Sequence, residues 1–374
     1  MMPIRWLSIR GYRSVQRVRL ELGQVNVLVG PNGCGKTNLY RSLFLLNQAA
    51  DGRLASTLAA EGGMPSCLWA GEFRKGVPKR VTIEVGFDQW SYRFACGLAQ
   101  PHGSAFSLDP IVREEQLEFR GHARRTTVFQ RKNGSAQLRD EQGRPIDFPM
   151  ELTDSESILS ELREPHRFPE LSALRSVLLS WRFYHEFRTD ADSPLRRPQI
   201  AVRTPVLSHD GVDLAAALQT IGEIGRGMEL QQAVADAFPG ASLYIAMGQA
   251  GMEVQLEREE FRRRFAAREL SDGTLKYLCL LAALYTPRPP ALLAMNEPDA
   301  NLHPQLFEPL ARLIARAGQD SQLWITTHSQ PLAESLRREA DAKLIQLEML
   351  DGATTVSGEP DGEDGEADED ESDN

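Results

Sequence analysis

Apolar and polar positions at the start of the chain predict strands, a glycine-rich loop and a helix, in that order. Residues Ile4 to Ile9 and Val18 to Leu22 alternate, as in the two strands of a hairpin. The segment Val25 to Val29 is more continuously apolar, with Asn26 as its one polar residue, and indicates a buried strand. This strand runs directly into the glycine-rich segment Gly30 to Asn38, after which apolar residues recur at a helical spacing. The pattern therefore predicts a loop that connects a buried strand to a helix.

The middle of the chain, from about residue 52 to residue 205, has a looser pattern in which glycine-rich and arginine-rich turns separate short segments. The pattern predicts strands and helices at Val81 to Phe87, Tyr92 to Gly97, Thr126 to Gln130, 156 to 163 and 168 to 180. We interpret this part of the chain as an elaborated middle region.

Regular alternation of helices and apolar strands returns after Val212. Two helical patterns reach Phe238, and the later segments predict strands at Ser242 to Met247 and Met252 to Leu256, a helix at Leu275 to Tyr285, a strand at Ala291 to Met295, a helix at Gln305 to Ala317, and strands at Gln322 to Thr327 and Leu344 to Met349. Such alternation is typical of a largely parallel α/β sheet. We expect a head formed by residues 1–350, with a first lobe at 1–205 and a second lobe at 206–350.

The composition indicates a globular protein without a membrane span. Apolar residues make up 41% and charged residues 25% of the 374 residues. The longest apolar stretches, Leu278 to Tyr285 and Ala291 to Met295, are far shorter than the roughly 18 to 20 residues that cross a bilayer. Arg5 and Arg10 interrupt the place where a secretory signal would need its apolar region, so we expect a cytoplasmic protein. The four cysteines are widely spaced and predict reduced thiols rather than disulfides or a zinc site.

The net charge of −10 comes from the C-terminal end of the chain. Eleven of the 52 acidic residues lie in residues 351–374, which contain no Lys or Arg, so the first 350 residues carry 41 acidic and 42 basic side chains. We therefore expect an acidic tail at 351–374, disordered from Gly358 to Asn374 because so few apolar side chains cannot offset the entropy of ordering. The tail either keeps the protein soluble or competes with nucleic acid for a basic face.

The glycine-rich segment fits the phosphate-loop pattern G-x-x-x-x-G-K-[ST] as GPNGCGKT. Its backbone N–H groups can converge on phosphates at the start of a helix, Lys36 can place a cation between the β- and γ-phosphates, and the Thr37 hydroxyl can bind Mg²⁺. The residues expected to hold the nucleotide are Gly30, Pro31, Asn32, Gly33, Cys34, Gly35, Lys36, Thr37 and Asn38. The sequence thus predicts ATP and Mg²⁺ as ligands.

Two later apolar strands end in polar residues. Leu292 to Met295 is followed by Asn296 and Glu297, and the next apolar strand is followed by His328. In phosphate-loop proteins a strand beside the loop strand delivers a carboxylate to the Mg²⁺ site, and an adjacent Glu can orient the attacking water, which is the role we expect of Glu297. We expect His328 on a neighbouring strand, near the γ-phosphate, as a hydrogen-bonding sensor.

A further cluster, Leu270 to Thr274, begins the later apolar helix. The Ser271 hydroxyl, the flexible Gly273 and the positive end of the helix can together bind an anion. The same residues also fit an ordinary helix N-cap. Taken alone, this segment leaves both interpretations open.

In their order along the chain, these motifs resemble those of the ATP-binding-cassette ATPase heads of the RecF, SMC and OLD group, particularly the compact RecF-like ATPases of bacteria without a coiled coil. The family's motifs match as Walker A at Gly30 to Thr37, signature at Leu270 to Thr274, Walker B at Leu292 to Glu297 and switch histidine at His328. The resemblance covers roughly residues 1–50 and 265–350 by motif and the middle only by topology. It implies a P-loop NTPase of ABC-ATPase type, with a mixed α/β sheet between helices on both sides, an antiparallel N-terminal β subdomain and a helical insertion.

Two shorter segments extend the resemblance. Glu297 to Pro304 is similar to the Glu-Pro-Glu-x-x-Leu-His-Pro segment that follows Walker B in this group. Ile9 to Ser14 is similar to its N-terminal Ile-x-Gly-Tyr-Arg-Ser stretch, and that similarity implies that Arg13 lies near the nucleotide.

The resemblance also implies how the site works. Lys36, Glu297 and His328 would act in ATP hydrolysis, while Ser271 and Gly273 of one copy would close over the γ-phosphate held by another. ATP would then join two copies into a homodimer, and hydrolysis would release them.

The chain departs from the family pattern at two places. Asn296 stands where the group has the Asp that holds Mg²⁺, and an amide contributes no negative charge, so we expect weak Mg²⁺ retention and slow hydrolysis. A Gln-loop is not evident, because Gln89, Gln130 and Gln199 are all candidates and none is favoured.

Three basic clusters could neutralise DNA phosphates or could form solvated, ion-paired surfaces. They are Arg5, Arg10, Arg13, Arg17 and Arg19; Arg120, Arg124, Arg125, Arg131 and Lys132; and Arg262 to Arg264. The leading hypothesis is an ATP-hydrolysing homodimer that acts on DNA in repair, recombination or phage defence, with a partner nuclease or repair protein and no membrane.

Two alternatives stay open. One is the nucleotide-binding subunit of a membrane transporter, although Lys36 and Ser271 are 235 residues apart, a much longer separation than is usual in those subunits. The other is a nucleotide-gated regulatory protein with negligible turnover, which Asn296 favours.

Overall fold

Three sheets with helices packed on them make up the described part of the chain, which in this computed structural model comprises residues 2–72, 79–98, 105–121, 125–139, 143–148 and 152–357. The strands are β1 (Trp6–Tyr12), β2 (Val15–Glu21), β3 (Val25–Val29), β4 (Arg80–Gly86), β5 (Trp90–Leu98), β6 (Pro110–Arg120), β7 (Arg125–Lys132), β8 (Ser135–Arg139), β9 (Pro145–Asp147), β10 (Arg182–Tyr184), β11 (Ala241–Gly248), β12 (Gly251–Arg258), β13 (Phe265–Ala266), β14 (Leu292–Asn296), β15 (Gln322–Thr327), β16 (Lys343–Leu350) and β17 (Ala353–Val356). The helices are α1 (Lys36–Asp51), α2 (Leu54–Ala60), α3 (Met64–Cys67), α4 (Ile158–Glu161), α5 (Pro169–Ser180), α6 (Leu214–Ile221), α7 (Gly227–Ala237), α8 (Asp272–Leu284), α9 (Phe307–Ala317) and α10 (Gln330–Ala340). Short helical turns of other types lie at Pro194–Arg196, Gly222–Arg226, Ala267–Glu269 and Pro304–Leu306.

A six-stranded sheet contains the strand that leads into the glycine loop. Its order is β10, β14, β15, β3, β16 and β17, and all neighbours are parallel except the last pair. Every residue of β3 is buried, because helices cover both faces of the sheet. α1 and α5 belong to the core on one face, and α8, α9 and α10 to the core on the other. The predicted mixed α/β sheet between two layers of helices is confirmed.

An eight-stranded antiparallel sheet forms the predicted N-terminal β subdomain. Its order is β2, β1, β4, β5, β6, β7, β8 and β9, so the first hairpin and the predicted strands of the middle region belong to one sheet. A smaller antiparallel sheet of β11, β12 and β13 follows α6 and α7. Both of these helices share a core with α8.

A buried ion pair explains why the apolar pattern does not predict β6. Glu115 lies in this strand with its side chain fully buried, and its Oε2 is 3.3 Å from Nη1 of the equally buried Arg131. Ser157 Oγ donates to the same carboxylate over 2.6 Å, which connects the sheet to the start of α4. Arg131 was expected in a cluster that could contact DNA, and its burial excludes that role. Arg124 of the same cluster lies outside the described residues.

The ordered chain extends past residue 350, where the tail was expected to begin. Residues Ala353–Val356 form β17, which pairs with β16. The segment Gly358 to Asn374, expected to be disordered, lies outside the described residues. The lobe division at residue 205 stays a prediction, and both cores contain residues from either side of it.

Candidate nucleotide site

The glycine loop joins β3 to α1 as the sequence predicts. Gly33 and Gly35 have φ values of 83° and 98°, in the left-handed region that favours glycine. A Cβ at Gly30 would overlap the Leu347 carbonyl oxygen of β16, so glycine is needed there for close approach. The loop is therefore shaped by its glycines, and Pro31, Asn32 and Gly33 reach the surface.

Lys36 lies inside the loop, almost fully buried. Its Nζ donates to the carbonyl oxygens of Gly30 and Pro31 at 2.6 and 2.9 Å. These neutral carbonyls satisfy the ammonium, and phosphate oxygens would be stronger partners for it. In the part of the chain that the structure describes, the Thr37 hydroxyl makes no hydrogen bond, which leaves it able to bind a cation.

A chain of hydroxyl and amide groups supports the first turn of α1. Asn38 Nδ2 donates to Ser14 Oγ over 2.8 Å, and Ser14 Oγ shares a hydrogen bond of 2.7 Å with Thr354 Oγ1. Ser14 comes from the β1–β2 turn and Thr354 from β17. The β1–β2 turn and β17, which are far apart in sequence, thus support the end of the glycine loop through this chain of hydrogen bonds.

Arg13, expected near the nucleotide, forms an ion pair with the carboxylate of Glu61. Its Nη2 donates to Glu61 Oε2 over 2.7 Å, and Glu61 Oε1 is 3.2 Å from Arg41 Nη1. Tyr12 donates its hydroxyl to the same carboxylate over 2.8 Å. Contact between Arg13 and a nucleotide stays a prediction and would require this pairing to change.

Three parallel strands end at the same edge of the sheet in register. Thr326 of β15 pairs with Asn296 of β14, and Thr327 pairs with Val29 of β3. Glu297, His328 and the glycine loop therefore follow three adjacent strand ends. One expectation was wrong: the acidic strand is not beside the loop strand, because β15 lies between them. Two strand spacings, about 10 Å, consequently separate the ends of β14 and β3, and the His328 strand is the direct neighbour of both.

Glu297 and His328 face each other at this edge. His328 Nδ1 lies 3.8 Å from Glu297 Oε1, and their side chains are 48% and 31% exposed. Glu297 has a φ of 47°, an unfavourable left-handed conformation for a residue with a Cβ, which costs roughly 1–3 kcal/mol. Its N–H donates to the Thr326 carbonyl oxygen over 3.0 Å, which fixes the strained residue to β15.

Asn296 is half-buried, and its Oδ1 accepts a hydrogen bond of 2.9 Å from the Thr326 hydroxyl. One lone pair of this oxygen is left for a further partner. Mg²⁺ in such sites is held by one or two protein oxygens together with substrate phosphates and water. Thr37 and Asn296 fit that donor set, but neither adds negative charge. Among the described residues, three His, Cys, Asp or Glu side chains do not converge at any point as a metal-binding group.

The strand β10 brings two further polar residues to this edge, His185 and Glu186, which sequence reasoning missed. Tyr184 pairs with Met295, so His185 and Glu186 follow β10 beside Asn296 and Glu297. Burial and the Arg41 guanidinium lower the pKa of His185, while Glu186 and Glu297 oppose that shift. A signal was present, because an apolar strand that ends in titratable residues is the same pattern as at Glu297.

The three Gln-loop candidates lie elsewhere. Gln89 is in the turn between β4 and β5, and Gln130 is in β7 of the antiparallel sheet. Gln199 uses its backbone to pair with Met252, and its Oε1 accepts from the Ala215 N–H over 2.7 Å. None of the three comes directly after a strand of the six-stranded sheet.

Ser271 is the N-cap of α8. Its Oγ accepts from the Thr274 N–H over 3.2 Å, and the residue is exposed. A Cβ at Gly273 would lie 3.0 Å from the Asn301 carbonyl oxygen, so glycine permits the helix to approach the turn after Glu297. The ordinary N-cap interpretation is thus confirmed, and it leaves the exposed start of the helix available to an anion.

Lys276 connects α8 to the turn that begins at Glu297. Its Nζ donates to the carbonyl oxygens of Glu297 and Ala300 over 3.1 and 2.7 Å. Burial lowers the pKa of Lys276, and the carboxylates of Asp299, Glu186 and Glu297 oppose that shift. α8 and the turn that begins at Glu297 are therefore joined within one copy.

Comparison with known proteins assigns the chain to a family. A family model described as "AAA domain, putative AbiEii toxin, Type IV TA system" matches residues 25–333, a span that includes the glycine loop, Ser271, Glu297 and His328. The chain belongs to this AAA-domain family. No curated protein matches it closely enough to report.

Solved structures agree on the fold. This AAA protein is similar to an SMC head bound to the C-terminal winged-helix domain of ScpA, with 16% identity, a TM-score of 0.53, and coverage of 95% of this chain and 96% of that one. It is also similar to an SMC head with an extended coiled coil, bound to the C-terminal domain of ScpA derived from Pyrococcus furiosus, with 14% identity, a TM-score of 0.52 and the same coverage. The chain is therefore an AAA-type ATPase with the fold of an SMC head. No helix in the described ranges is long and apolar enough to cross a membrane.

Proposed function

We propose that this AAA ATPase binds ATP with Mg²⁺ in the loop Gly30 to Asn38 and hydrolyses it at the adjoining sheet edge. The observation that carries the proposal is that the glycine loop, Glu297 and His328 follow three adjacent parallel strands in register. Functional groups at the carboxyl ends of parallel strands share one edge of the sheet, where α/β proteins bind their ligands.

Each residue of this edge has a chemical task in the proposal. Lys36 exchanges its two carbonyl partners for phosphate oxygens and neutralises charge as the γ-phosphate leaves. Thr37 and Asn296 hold Mg²⁺, which supplies positive charge to the phosphates. Glu297 orients and deprotonates the attacking water, and His328 donates a hydrogen bond to the γ-phosphate.

Four proteins compared side by side test these roles: the unmodified chain, Lys36→Ala, Glu297→Gln and a control variant. We expect Lys36→Ala to lose ATP binding, measured with a fluorescent ATP analogue. Glu297→Gln should keep binding and lose hydrolysis by about 100-fold or more, because the amide cannot accept the proton. Lys343→Ala is the control, since this exposed lysine only donates to the Glu21 carbonyl. Normal ATP binding in Lys36→Ala or normal turnover in Glu297→Gln would contradict the assignment.

Asn296 supports a second candidate, a nucleotide-gated regulatory protein with very slow turnover. Its amide oxygen, already bonded to Thr326, adds no charge to hold Mg²⁺. In that case ATP binding would be intact in the same assays while the unmodified chain itself hydrolysed ATP negligibly.

The proposal includes an ATP-dependent homodimer. Pro31, Asn32 and Gly33 of the loop and Ser271 at the start of α8 are exposed, so a second copy can reach both. α1 and α8 belong to cores on opposite faces of the sheet. The anion-binding end of α8 is then free to complete the site of another copy, with Gly273 allowing close approach.

The proposed target is DNA, and the proposed process is repair, recombination or phage defence. The protein would act in the cytoplasm with a partner nuclease or repair protein. Arg10 of β1 lies directly opposite Arg17 of β2, and both are exposed, as is Arg19 on the same face. Exposed guanidinium groups gathered on one face of a sheet favour a polyanionic partner. Ion pairs occur in both clusters: Arg19 pairs with Glu21, and Arg263 and Arg264 pair with Glu269 and Glu257.

DNA binding at two or more salt concentrations tests this target. The double variant Arg10→Gln with Arg17→Gln should bind both single-stranded and double-stranded DNA more weakly, and its salt dependence should be shallower by about two counterions. Arg337→Gln is the matched control, because this exposed arginine pairs with Glu334 on α10. DNA should also stimulate the ATPase rate, less so at high salt. If the double variant bound DNA as tightly as the unmodified chain, this face would be excluded as the binding surface. If DNA left the ATPase rate unchanged, DNA would be excluded as the target.

A further inference from the structure

Arg196 lies between the turn Pro194–Arg196 and the start of α8, with its side chain only 11% exposed. Its Nη1 donates to the Leu270 carbonyl oxygen over 2.7 Å, and more weakly to two preceding carbonyls. Its Nη2 donates to Asp272 Oδ1 over 2.5 Å. One guanidinium therefore holds both neighbours of Ser271, the residue before it and the residue after it.

The same guanidinium also holds the segment that follows β10. Arg196 Nε donates to the carbonyl oxygens of Thr189 and Asp190, each over 3.0 Å. This segment begins at the edge of the sheet where His185 and Glu186 lie beside Asn296 and Glu297. Arg196 thus connects the segment that follows β10 to the start of α8.

A planar guanidinium suits this position better than any other side chain. It has five N–H donors in a fixed geometry, so it can bind carbonyls and a carboxylate in different directions at once. Asp272 is exposed, whereas Arg196 is largely buried. Without the Arg196 side chain, the carbonyls before Ser271 would lose the N–H groups that donate to them. The conformation of Leu270 to Asp272 consequently depends on Arg196.

We infer that Arg196 is a positioning residue, which orients Ser271 and the first N–H groups of α8 so that they can complete the ATP site of a second copy. This inference rests on the proposed ATP-dependent dimer. Arg196 does not belong to the ATP-binding loop of its own copy, so its loss should weaken dimerisation without weakening ATP binding.

The first test compares Arg196→Gln with Arg197→Gln, whose exposed neighbouring side chain provides a matched control. Both carry Glu297→Gln to block hydrolysis. We expect Arg196→Gln to bind a fluorescent ATP analogue normally and to dimerise with ATP at least tenfold more weakly in analytical ultracentrifugation. Arg197→Gln should match the Glu297→Gln parent in both measurements. Asp272→Ala, an exposed change that removes one hydrogen-bond partner of Arg196, should weaken the dimer in the same direction if Arg196→Gln does not fold.

Mixing experiments separate a positioning role from general damage. A copy with Lys36→Ala has a defective loop but an intact Ser271, so its mixture with Arg196→Gln contains one complete composite site and should form heterodimers. A mixture of Arg196→Gln with Ser271→Arg contains no complete site and should stay monomeric. A structural defect would not produce this dependence on the partner variant.

The outcomes show separately whether the ATP-dependent dimer or only the role of Arg196 is wrong. If the Glu297→Gln parent stays monomeric with ATP, the proposed dimer is wrong and the role of Arg196 is overturned with it. If the parent dimerises and Arg196→Gln dimerises equally well, only the role of Arg196 is overturned. The role of Arg196 is likewise overturned if Arg196→Gln forms heterodimers with Ser271→Arg but not with Lys36→Ala.

Discussion

At the scale of single residues, Asn296 and Glu297 set the chemistry at the end of β14 in opposite ways. Asn296 removes a negative charge from the place where the proposed Mg²⁺ binds, while Glu297 keeps its carboxylate in a backbone conformation that glycine would adopt more easily. The N–H of Glu297 is fixed by β15, so the strain is held by the sheet. We interpret the strained glutamate as the functional residue and the asparagine as a brake on turnover.

Replacing Asn296 with Asp tests the brake. The carboxylate keeps the acceptor of the Thr326 hydroxyl and adds a charge, so Mg²⁺ should bind more tightly and hydrolysis should become faster, each by about tenfold. The measurement is the ATPase rate as a function of Mg²⁺ concentration. The charge-free substitution Asn296→Ser is the control and should bring no gain. An unchanged rate and an unchanged Mg²⁺ requirement in Asn296→Asp would contradict the interpretation.

Sequence patterns point to most residues of the candidate site but not to their conformations, and they did not lead us to His185 and Glu186. Lys36, Thr37 and the glycines of the loop follow from one contiguous pattern, because each contributes its chemistry within a single turn. The positive φ of Glu297 and the pairing of Arg13 with Glu61 depend on contacts with residues remote in sequence. Arg196 likewise gave no signal, since its partners at the start of α8 lie about 75 residues further on.

At the scale of elements, the hairpin β16–β17 closes against the glycine loop. The Leu347 carbonyl of β16 requires glycine at position 30, and Thr354 of β17 joins the hydrogen-bond chain through Ser14 to Asn38. Thr354 is almost fully buried, so its hydroxyl depends on this partner. The last strands of the described chain thus support the start of α1.

The substitution Thr354→Val removes that hydroxyl while keeping the shape of the side chain. The free energy of unfolding should fall by about 1 kcal/mol, because Ser14 loses a partner in a partly buried place. ATP affinity should fall a few-fold as the first turn of α1 loosens. Urea unfolding and nucleotide titration measure the two effects. Thr355→Val, on the exposed side of the same strand, is the control, and equal behaviour of the two variants would contradict this support role.

Local pattern predicted elements better than it predicted their neighbours. The strands β3, β14 and β15 and the helix α9 follow from apolar periodicity, since each buries one continuous set of side chains. The position of β15 between β14 and β3 could not follow, because strand order depends on crossovers and not on the sequence of any one strand. The strand β6 was hidden by charged residues, among them Glu115, whose buried carboxylate is stabilised by Arg131 and by hydrogen bonds from Tyr92 and Ser157.

At the scale of the whole molecule, the two halves of the proposed ATP site lie at different exposed places on one copy. The glycine loop and Glu297 belong to the edge of the six-stranded sheet, and Ser271 begins a helix on the other side of it. Lys276 and Arg196 connect the two places within one copy. In the proposed dimer, these two contacts would link the ATP site to the surface that meets a second copy.

The most direct test of the central claim is the mass of the protein in solution with and without nucleotide. In analytical ultracentrifugation with Mg²⁺, Glu297→Gln should be a monomer without nucleotide and with ADP, and a dimer with ATP. Adding either Lys36→Ala or Ser271→Arg should abolish the dimer, whereas an equal mixture of these two double variants should restore it. A dimer that persists with Lys36→Ala or Ser271→Arg, or an ATP-bound protein that stays monomeric, would contradict the claim that one copy completes the site of the other.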